Sequence, residues 1–327
     1  MSDQDSGLLL PEQLIPTPKS VSPQGQAYLA AAAKRIAAMT AAGGAGQGGD
    51  QGAAAAAAVQ FLAPLATGFT GAFETIDLAN GVKLYRATPA ARPGRRAQVA
   101  YFDIHGGGFT AGGGEMCQLL VKIRAADYGV EVFGVDYRLA PEHPYPAALD
   151  DCMAAYREVL ARCDVSGLIV GGASAGGNLA AALMLRARDE GLPLPIALLL
   201  QTPGLDMTRS GDSYRTNRYL DVNLYGGSPE GPSGYAGGAD PRTPYLSPLF
   251  GDFSKGWPPT ILTTGTRDLL LSDTVQMHRA LRRAGVAAEL HVSEGSPHGG
   301  FMGAGAPEDA EIVGECRRFM YSAWGLQ

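Results

Sequence analysis

One serine of this chain is flanked by glycines in a pattern that suits nucleophilic chemistry. Ser174 is the centre of the pentapeptide Gly-Ala-Ser-Ala-Gly at 172–176. An apolar run at 168–171 precedes it and good helix formers at 178–188 follow it, which predicts a strand, a tight turn and a helix. The glycines let strand and helix pass closely, so the serine is pushed outward. Its hydroxyl then lies at a helix N-terminus, where the helix dipole favours developing negative charge.

A serine hydroxyl is a weak nucleophile at neutral pH, so it needs a base, and the base needs an acid to orient it. Where a serine occupies such a turn, the acid and then the base follow it along the chain. His278 falls in a predicted helix and His291 in a predicted strand, which favours structural roles for both. His298 lies in the loop Ser-Pro-His-Gly-Gly at 296–300, just after the last predicted strand. We therefore predict that His298 is the base.

Four aspartates are candidates for the acid. Asp268 lies in the stretch 264–269, just past the carboxyl end of a predicted strand, where catalytic groups of open α/β sheets collect. Asp273 is the alternative, although its position suits a charge at a helix N-terminus. Asp206 and Asp240 lie in a long insertion and are weaker candidates. Asp268 is the predicted acid.

Acyl transfer also needs hydrogen-bond donors for the negative charge that builds on the carbonyl oxygen, each worth roughly 10²–10³ in rate. The stretch His-Gly-Gly-Gly at 105–108 follows a predicted strand at 99–104 and offers backbone N–H groups that a substrate can approach. Ala175, directly after the serine, offers another. His105 is expected to order its loop; a role as a second base is the alternative.

The composition excludes several functional classes. The formal net charge of -6 leaves no basic surface for nucleic acid. No segment is apolar for long enough to predict a membrane span, and the acidic start of the chain does not resemble a secretory signal. No C-x-x-C motif is present, which favours free thiols in a reducing compartment, with the cytoplasm as the expected location. The four cysteines are Cys117, Cys152, Cys163 and Cys316.

The elements that must position these residues alternate along the chain. The predicted strands are 74–78, 82–86, 99–104, 130–135, 168–171, 196–201, 260–264 and 288–293, the first two forming a hairpin about Asn80-Gly81. The predicted helices are 27–40, 116–128, 147–162, 178–188, 272–284 and 307–324. Strands alternating with amphipathic helices predict an α/β fold with a parallel sheet covered on both faces.

Two segments break this alternation. Residues 1–70 contain a low-complexity Ala/Gly run at 41–58, which predicts a mobile connection between helices. Within it, Gly44, Gly46 and Gly49 formally match the dinucleotide-binding pattern, but no strand precedes them, so a nucleotide-dependent oxidoreductase is set aside. Residues 204–257 are rich in Gly, Pro and Tyr and form an insertion, partly loop, of the kind that often acts as a lid.

In their order, these motifs resemble one family. The matching stretches are His-Gly-Gly-Gly-Phe at 105–109, then 136–151, 171–178 and 264–269, and last the His298 loop. Over about residues 75–325 the sequence resembles the hormone-sensitive-lipase-like carboxylesterases of the α/β-hydrolase superfamily. The resemblance implies a mostly parallel eight-stranded sheet, with helices on both faces and a helical cap. The cap would comprise residues 1–70 and 204–257, and the core residues 71–203 and 258–327.

The resemblance also implies roles for individual residues. Ser174 would be the nucleophile, His298 the base and Asp268 the acid that orients it. Gly107, Gly108 and Ala175 match the oxyanion-hole donors, and Phe109 and Phe301 are the expected substrate contacts. The family implies a homodimer that pairs through the last strand, Ala288–Ser293.

The sequence departs from the family pattern at two places. Ala173 stands where an acidic residue or threonine is usual, which reduces the charge beside the serine. Gly299-Gly300-Phe301 contains one glycine more than usual after the histidine, which predicts a looser loop.

The predicted function is that of a serine carboxylesterase acting on short- to medium-chain esters, without a metal or organic cofactor. An amidase or lactonase using the same triad is the alternative enzyme. A non-catalytic protein that binds a small molecule is the alternative of a different class.

Overall fold

A computed structural model describes residues 14–41, 51–90, 99–227 and 234–326 of the protein. Its strands are β1 (Gly71–Asp77), β2 (Lys83–Pro89), β3 (Ala100–Ile104), β4 (Glu131–Asp136), β5 (Leu168–Ala173), β6 (Ala197–Gln201), β7 (Thr260–Gly265) and β8 (Ala288–Ser293). They form one eight-stranded sheet in the order β1-β2-β4-β3-β5-β6-β7-β8. The pairs β1–β2 and β2–β4 are antiparallel, and the other pairs are parallel. The predicted mostly parallel eight-stranded sheet is confirmed.

Helices cover both faces of this sheet. They are α1 (Pro23–Ala41), α2 (Gln51–Ala66), α3 (Glu115–Tyr128), α4 (Ala147–Arg162), α5 (Ala175–Asp189), α6 (Ser213–Thr216), α7 (Leu271–Arg283) and α8 (Pro307–Ala323). Buried side chains of α4, α5 and α7 pack on one face, and those of α3 and α8 pack on the other. Each face of the sheet thus carries a hydrophobic core, and strand β3 contributes side chains to both of them. Phe102 and Ile104 pack in the core with α4, α5 and α7, and Tyr101 packs in the core with α3 and α8. The predicted α/β class is confirmed.

The structure differs from the sequence prediction in the two segments outside the alternation. Helix α2 begins at Gln51, so the later part of the low-complexity run is helix and not a connection. Its alanines explain this, since alanine has the highest helix propensity. The glycines at 44, 46 and 49 lie outside the described residues. In the described part of the insertion the only α-helix is the single turn α6, with two 3-10 turns at Pro248–Phe250 and Phe253–Lys255. Its many glycines and prolines account for this irregular backbone.

All four cysteines are buried free thiols. Over the ranges given above, no helix has the length and apolar character that crossing a bilayer requires.

Candidate active site

Ser174 occupies the sharp turn between β5 and α5. Its φ of 57° and ψ of −119° are unusual for a residue with a side chain and indicate a strained backbone. The turn is fixed by the Ser174 N–H, which donates to the carbonyl of Gln201 at 2.9 Å. A Cβ atom on Gly176 would lie 1.8 Å from the carbonyl oxygen of Ile104, so only glycine fits where the helix passes β3. The sequence predicted this strand, turn and helix.

Asp268 and His298 form a buried pair beyond the ends of β7 and β8. The Nδ1–H of His298 donates to Oδ1 of Asp268 at 3.0 Å. The carboxylate also accepts from the Thr264 hydroxyl at 2.7 Å and from the Leu270 N–H at 2.9 Å. Because this hydrogen bond assigns the proton of the neutral ring to Nδ1, Nε2 is left as the acceptor.

The charges around His298 favour its protonated form. Burial by itself lowers the pKa of His298, because it disfavours the imidazolium. The carboxylates of Asp268 and Asp221 act in the opposite direction, and the net result is a pKa raised above the ordinary value.

Ser174 and His298 line one cavity of about 1350 Å³. Gly107 and Gly108 belong to its wall, on the loop after β3. A Cβ atom on Gly107 would lie 2.2 Å from the carbonyl oxygen of Ala111, so this loop can turn only with glycine there. Ala175 is the first residue of α5, where a backbone N–H has no acceptor within its own helix. The three predicted oxyanion donors therefore lie on two segments that meet beside the serine.

His105 lies beneath the glycine loop. Its Nδ1 donates to the carbonyl of Gly106 at 2.8 Å, and its ring stacks on Tyr137 with centroids 4.1 Å apart. Burial lowers the pKa of His105 to about 4, so the ring is neutral at pH 7. These contacts are those of a residue that orders the loop.

The two predicted aromatic substrate contacts do not line the cavity. Phe109 is stacked on Tyr235 with ring centroids 3.6 Å apart and is buried there. Phe301 is fully buried and packs against Gly25 and Tyr28 of α1. Both side chains are held in the protein interior by aromatic packing, which local sequence does not reveal.

The alternative candidates have other partners. Asp273 accepts from the N–H groups of Leu205 and Asp206 and from the Tyr214 hydroxyl, so it anchors the insertion instead of capping its own helix. His278 lies on α7, and His291, on β8, faces Glu289 at 3.6 Å.

The other two aspartates accept hydrogen bonds from their near neighbours. Asp206 accepts from Thr208 and Ser210, and Asp240 from the Arg242 N–H.

Sequence reasoning missed three insertion residues that contact the acid and base loops. Asp221 accepts from the N–H groups of both Leu269 and His298. Asn217 donates to the carbonyl of Asp268, and Asn223 to the carbonyl of His298. No local motif marks these residues, because their partners are distant in the sequence.

Asp221, Asp268 and His298 also form the one group of described residues that could hold a metal ion, with candidate ligand atoms within 4.8 Å of one another. The Asp221 oxygens accept from four backbone N–H groups, and Asp268 accepts from its own donors. Since these oxygens are engaged as hydrogen-bond acceptors, we assign no metal to the group.

The chain is similar to known proteins of one fold family, both in sequence and in structure. Residues 101–302 match the family described as alpha/beta hydrolase fold. An esterase of Acinetobacter venetianus is 34% identical over 197 residues, a match that covers 59% of this chain and only 65% of that protein. The crystal structure of esterase E25 is similar with a TM-score of 0.83 and 31% identity, covering 97% of this chain and 98% of that one.

A crystal structure of an esterase from the bacterial hormone-sensitive lipase family is similar with a TM-score of 0.78 and 28% identity, covering 93% of this chain and 99% of that one. The family match spans well over half of the chain, and the structural similarity extends over nearly all of it. The chain therefore belongs to the α/β-hydrolase fold family and, within it, to the hormone-sensitive-lipase group.

Proposed function

We propose that this protein is a serine carboxylesterase. Ser174 attacks the ester carbonyl while Nε2 of His298 takes the hydroxyl proton and passes it to the leaving alcohol. Asp268 keeps the ring oriented and stabilises the imidazolium. The N–H groups of Gly107, Gly108 and Ala175 bind the oxyanion. Water then attacks the acyl-enzyme, with His298 again as the base.

The observation that carries this proposal is the buried hydrogen bond between Asp268 and His298 beside the cavity that Ser174 lines. A strained serine, a histidine with a free Nε2 and a glycine loop around one cavity are the parts that acyl transfer requires. A protein that only binds a small molecule has no need of this set. The names of its relatives, which include an esterase and an acetyl-hydrolase, support the same reaction.

The walls of the cavity support short- to medium-chain esters. Helices α2 and α3 contribute apolar side chains, among them Phe61, Met116 and Leu120. Asp103, Arg124 and Arg209 also line the cavity and interrupt this apolar surface. A long alkyl chain gains less by packing against such ionisable groups than against a wall that is apolar throughout, because it offers them no hydrogen bond.

The proposal is tested by hydrolysis of p-nitrophenyl esters from acetate to palmitate, comparing wild type with Ser174→Ala. We expect turnover that is highest for the shorter acyl chains and at least 10³-fold lower in the variant. Matched anilides and lactones test the amidase and lactonase alternatives. Inactivity of the wild type on every ester, or full activity of Ser174→Ala, would contradict the proposal.

We also propose the cytoplasm as the location, on the basis of the four buried thiols.

A homodimer paired through β8 is our proposal for assembly, because β8 is an edge strand with unpaired backbone groups. Sedimentation of wild type beside Val292→Pro, a substitution in that edge, tests the dimer: loss of a dimer in the variant supports it, and a wild-type monomer refutes it.

A further inference from the structure

Asp221 is a fully buried carboxylate that the insertion contributes to the acid and base loops. Its Oδ2 accepts from the N–H of Leu269, directly after the acid, at 2.8 Å. Both of its oxygens lie 3.3 Å from the N–H of His298. Its Oδ1 also accepts from the N–H groups of Asn223 and Leu224, at 3.0 and 3.1 Å. One side chain of the insertion thus joins the backbone of the acid loop to that of the base loop.

Asn223 continues this connection toward the N-terminal helix. Its Nδ2 donates to the carbonyl of His298 at 2.8 Å and to that of Gly300 at 3.1 Å. Its Oδ1 accepts from the hydroxyl of Tyr28, on α1, at 2.6 Å. The insertion therefore binds one N–H and two carbonyls of the His298 loop. These contacts indicate a fixed loop and not the looser loop expected from its additional glycine.

The charge of Asp221 faces the same imidazole as that of Asp268. These two carboxylates are the charged groups that raise the pKa of His298. From the other packed elements, α1 presents the neutral Tyr28, while α8 presents Asp309, which accepts from the Phe301 N–H at 3.0 Å. The pKa of Asp221 is raised overall, because burial, the largest cause, and the neighbouring Asp268 charge raise it, whereas a protonated His298 and the backbone N–H donors lower it. A protonated His298 and an ionised Asp221 therefore stabilise each other.

We propose that Asp221 is a positioning residue for the hydrolysis, which fixes the acid and base loops relative to each other and stabilises the imidazolium that forms during serine attack. This inference rests on the proposed function. It also makes the insertion part of the catalytic arrangement, because Asp221 and Asn223, which bind the backbone of the base loop, belong to the insertion.

The test is the pH dependence of kcat/KM for p-nitrophenyl butyrate in Asp221→Asn, with product read at a pH-independent wavelength. An NH₂ group replaces one acceptor oxygen, and the negative charge is lost. We expect kcat to fall about tenfold, the kinetic equivalent of one charge-assisted hydrogen bond. The midpoint of the acid limb should fall by about one pH unit, because His298 loses a neighbouring charge.

Asp206→Asn is the matched control, since Asp206 is a buried aspartate of the same insertion whose hydrogen bonds go to Thr208 and Ser210. Its acid limb should keep the wild-type midpoint. Asp221→Glu should also keep that midpoint, because the charge is retained, although its kcat falls. A drop in kcat for Asp221→Asn with an unmoved midpoint would mean a merely structural role and would overturn the proposal.

If Asp221→Asn does not fold, Asn223→Ala replaces it in the test. This variant removes the Asn223 amide that donates to two carbonyls of the base loop, and it leaves every charge in place. We expect kcat at least threefold lower, with KM and the pH midpoint unchanged, and an unchanged kcat would overturn the claim that the insertion positions the base loop. Failure of the esterase proposal itself would be recognised separately, because wild type would then be inactive or Ser174→Ala fully active.

Discussion

The Nδ1 atom of His298 lies 3.0 Å from Oδ1 of Asp268, and both side chains are buried although thirty residues separate them in the sequence. The parallel pairing of β7 with β8 accounts for this contact, because it brings the carboxyl ends of the two strands to one edge of the sheet. The pair directs Nε2 of the ring away from the acid. This relationship leads to the first two predictions.

Replacing Asp268 by Asn should lower kcat by roughly 10³–10⁴ with little change in KM. The amide does not accept the Nδ1 proton as a carboxylate does, so the ring loses its correct tautomer and the stabilisation of its cationic form. Steady-state kinetics on p-nitrophenyl butyrate measure the effect. Asp240→Asn, at an exposed position of the insertion, is the control and should match wild type. A loss below tenfold for Asp268→Asn would mean that another group orients the base.

The pH profile of the wild-type enzyme should have an acid limb with a midpoint above 6.5, the ordinary value for histidine. Protonation of Nε2 removes the base, and the raised pKa of His298 means that this loss begins at a higher pH than for an ordinary histidine. In Asp268→Asn the remaining activity should have its midpoint at lower pH, because the largest stabilising charge is gone. A wild-type midpoint well below 6.5 would contradict this account of the base.

Gly176→Ala should unfold the protein or destabilise it by about 3 kcal/mol or more, because the added Cβ would meet the Ile104 carbonyl oxygen at 1.8 Å. Gly314→Ala is a matched control on α8, where an added Cβ has no neighbour within 4 Å. That change should be neutral or stabilise by about 0.5–1 kcal/mol, the difference in helix propensity. Urea unfolding of the two variants beside wild type measures both effects. Equal stability of the two variants would contradict the tight passage of α5 against β3.

Leu120→Trp should narrow the cavity wall formed by α3. If this part of the cavity holds the acyl chain, kcat/KM for p-nitrophenyl octanoate should fall at least threefold more than for the acetate. Val275→Trp, on the exposed face of α7, is the control and should leave the ratio unchanged. An equal loss on all chain lengths would show that this wall does not contact the acyl group.

The alternating strands and helices were predictable because burial against the sheet or within it dictates their apolar sequence patterns. The run 197–200 is apolar since β6 is buried between helix layers, and Ala147–Arg162 was predicted with its observed ends. The insertion was not predictable beyond its existence. Its conformation depends on distant contacts, such as the hydrogen bonds that Asp273 accepts from Leu205 and Asp206.

The same distinction applies to the site. Ser174, Asp268 and His298 could be identified because each follows a strand and is marked by its neighbouring glycines or by chain order. Asp221 could not be identified from the sequence, because only the folded insertion brings it to its partners Leu269 and His298. The buried packing of Phe301 was likewise unpredictable, since α1 supplies the surface that it contacts.

The most direct test of the central claim is mass spectrometry after reaction with diethyl p-nitrophenyl phosphate, which leaves a diethylphosphoryl group on an activated serine. The account predicts one adduct per chain on the peptide that contains Ser174, with one equivalent of p-nitrophenol released, and no adduct in Ser174→Ala. Asp268→Asn should react far more slowly than wild type. Labelling of a different residue, or unchanged labelling in Ser174→Ala, would contradict the assignment of Ser174 as the nucleophile.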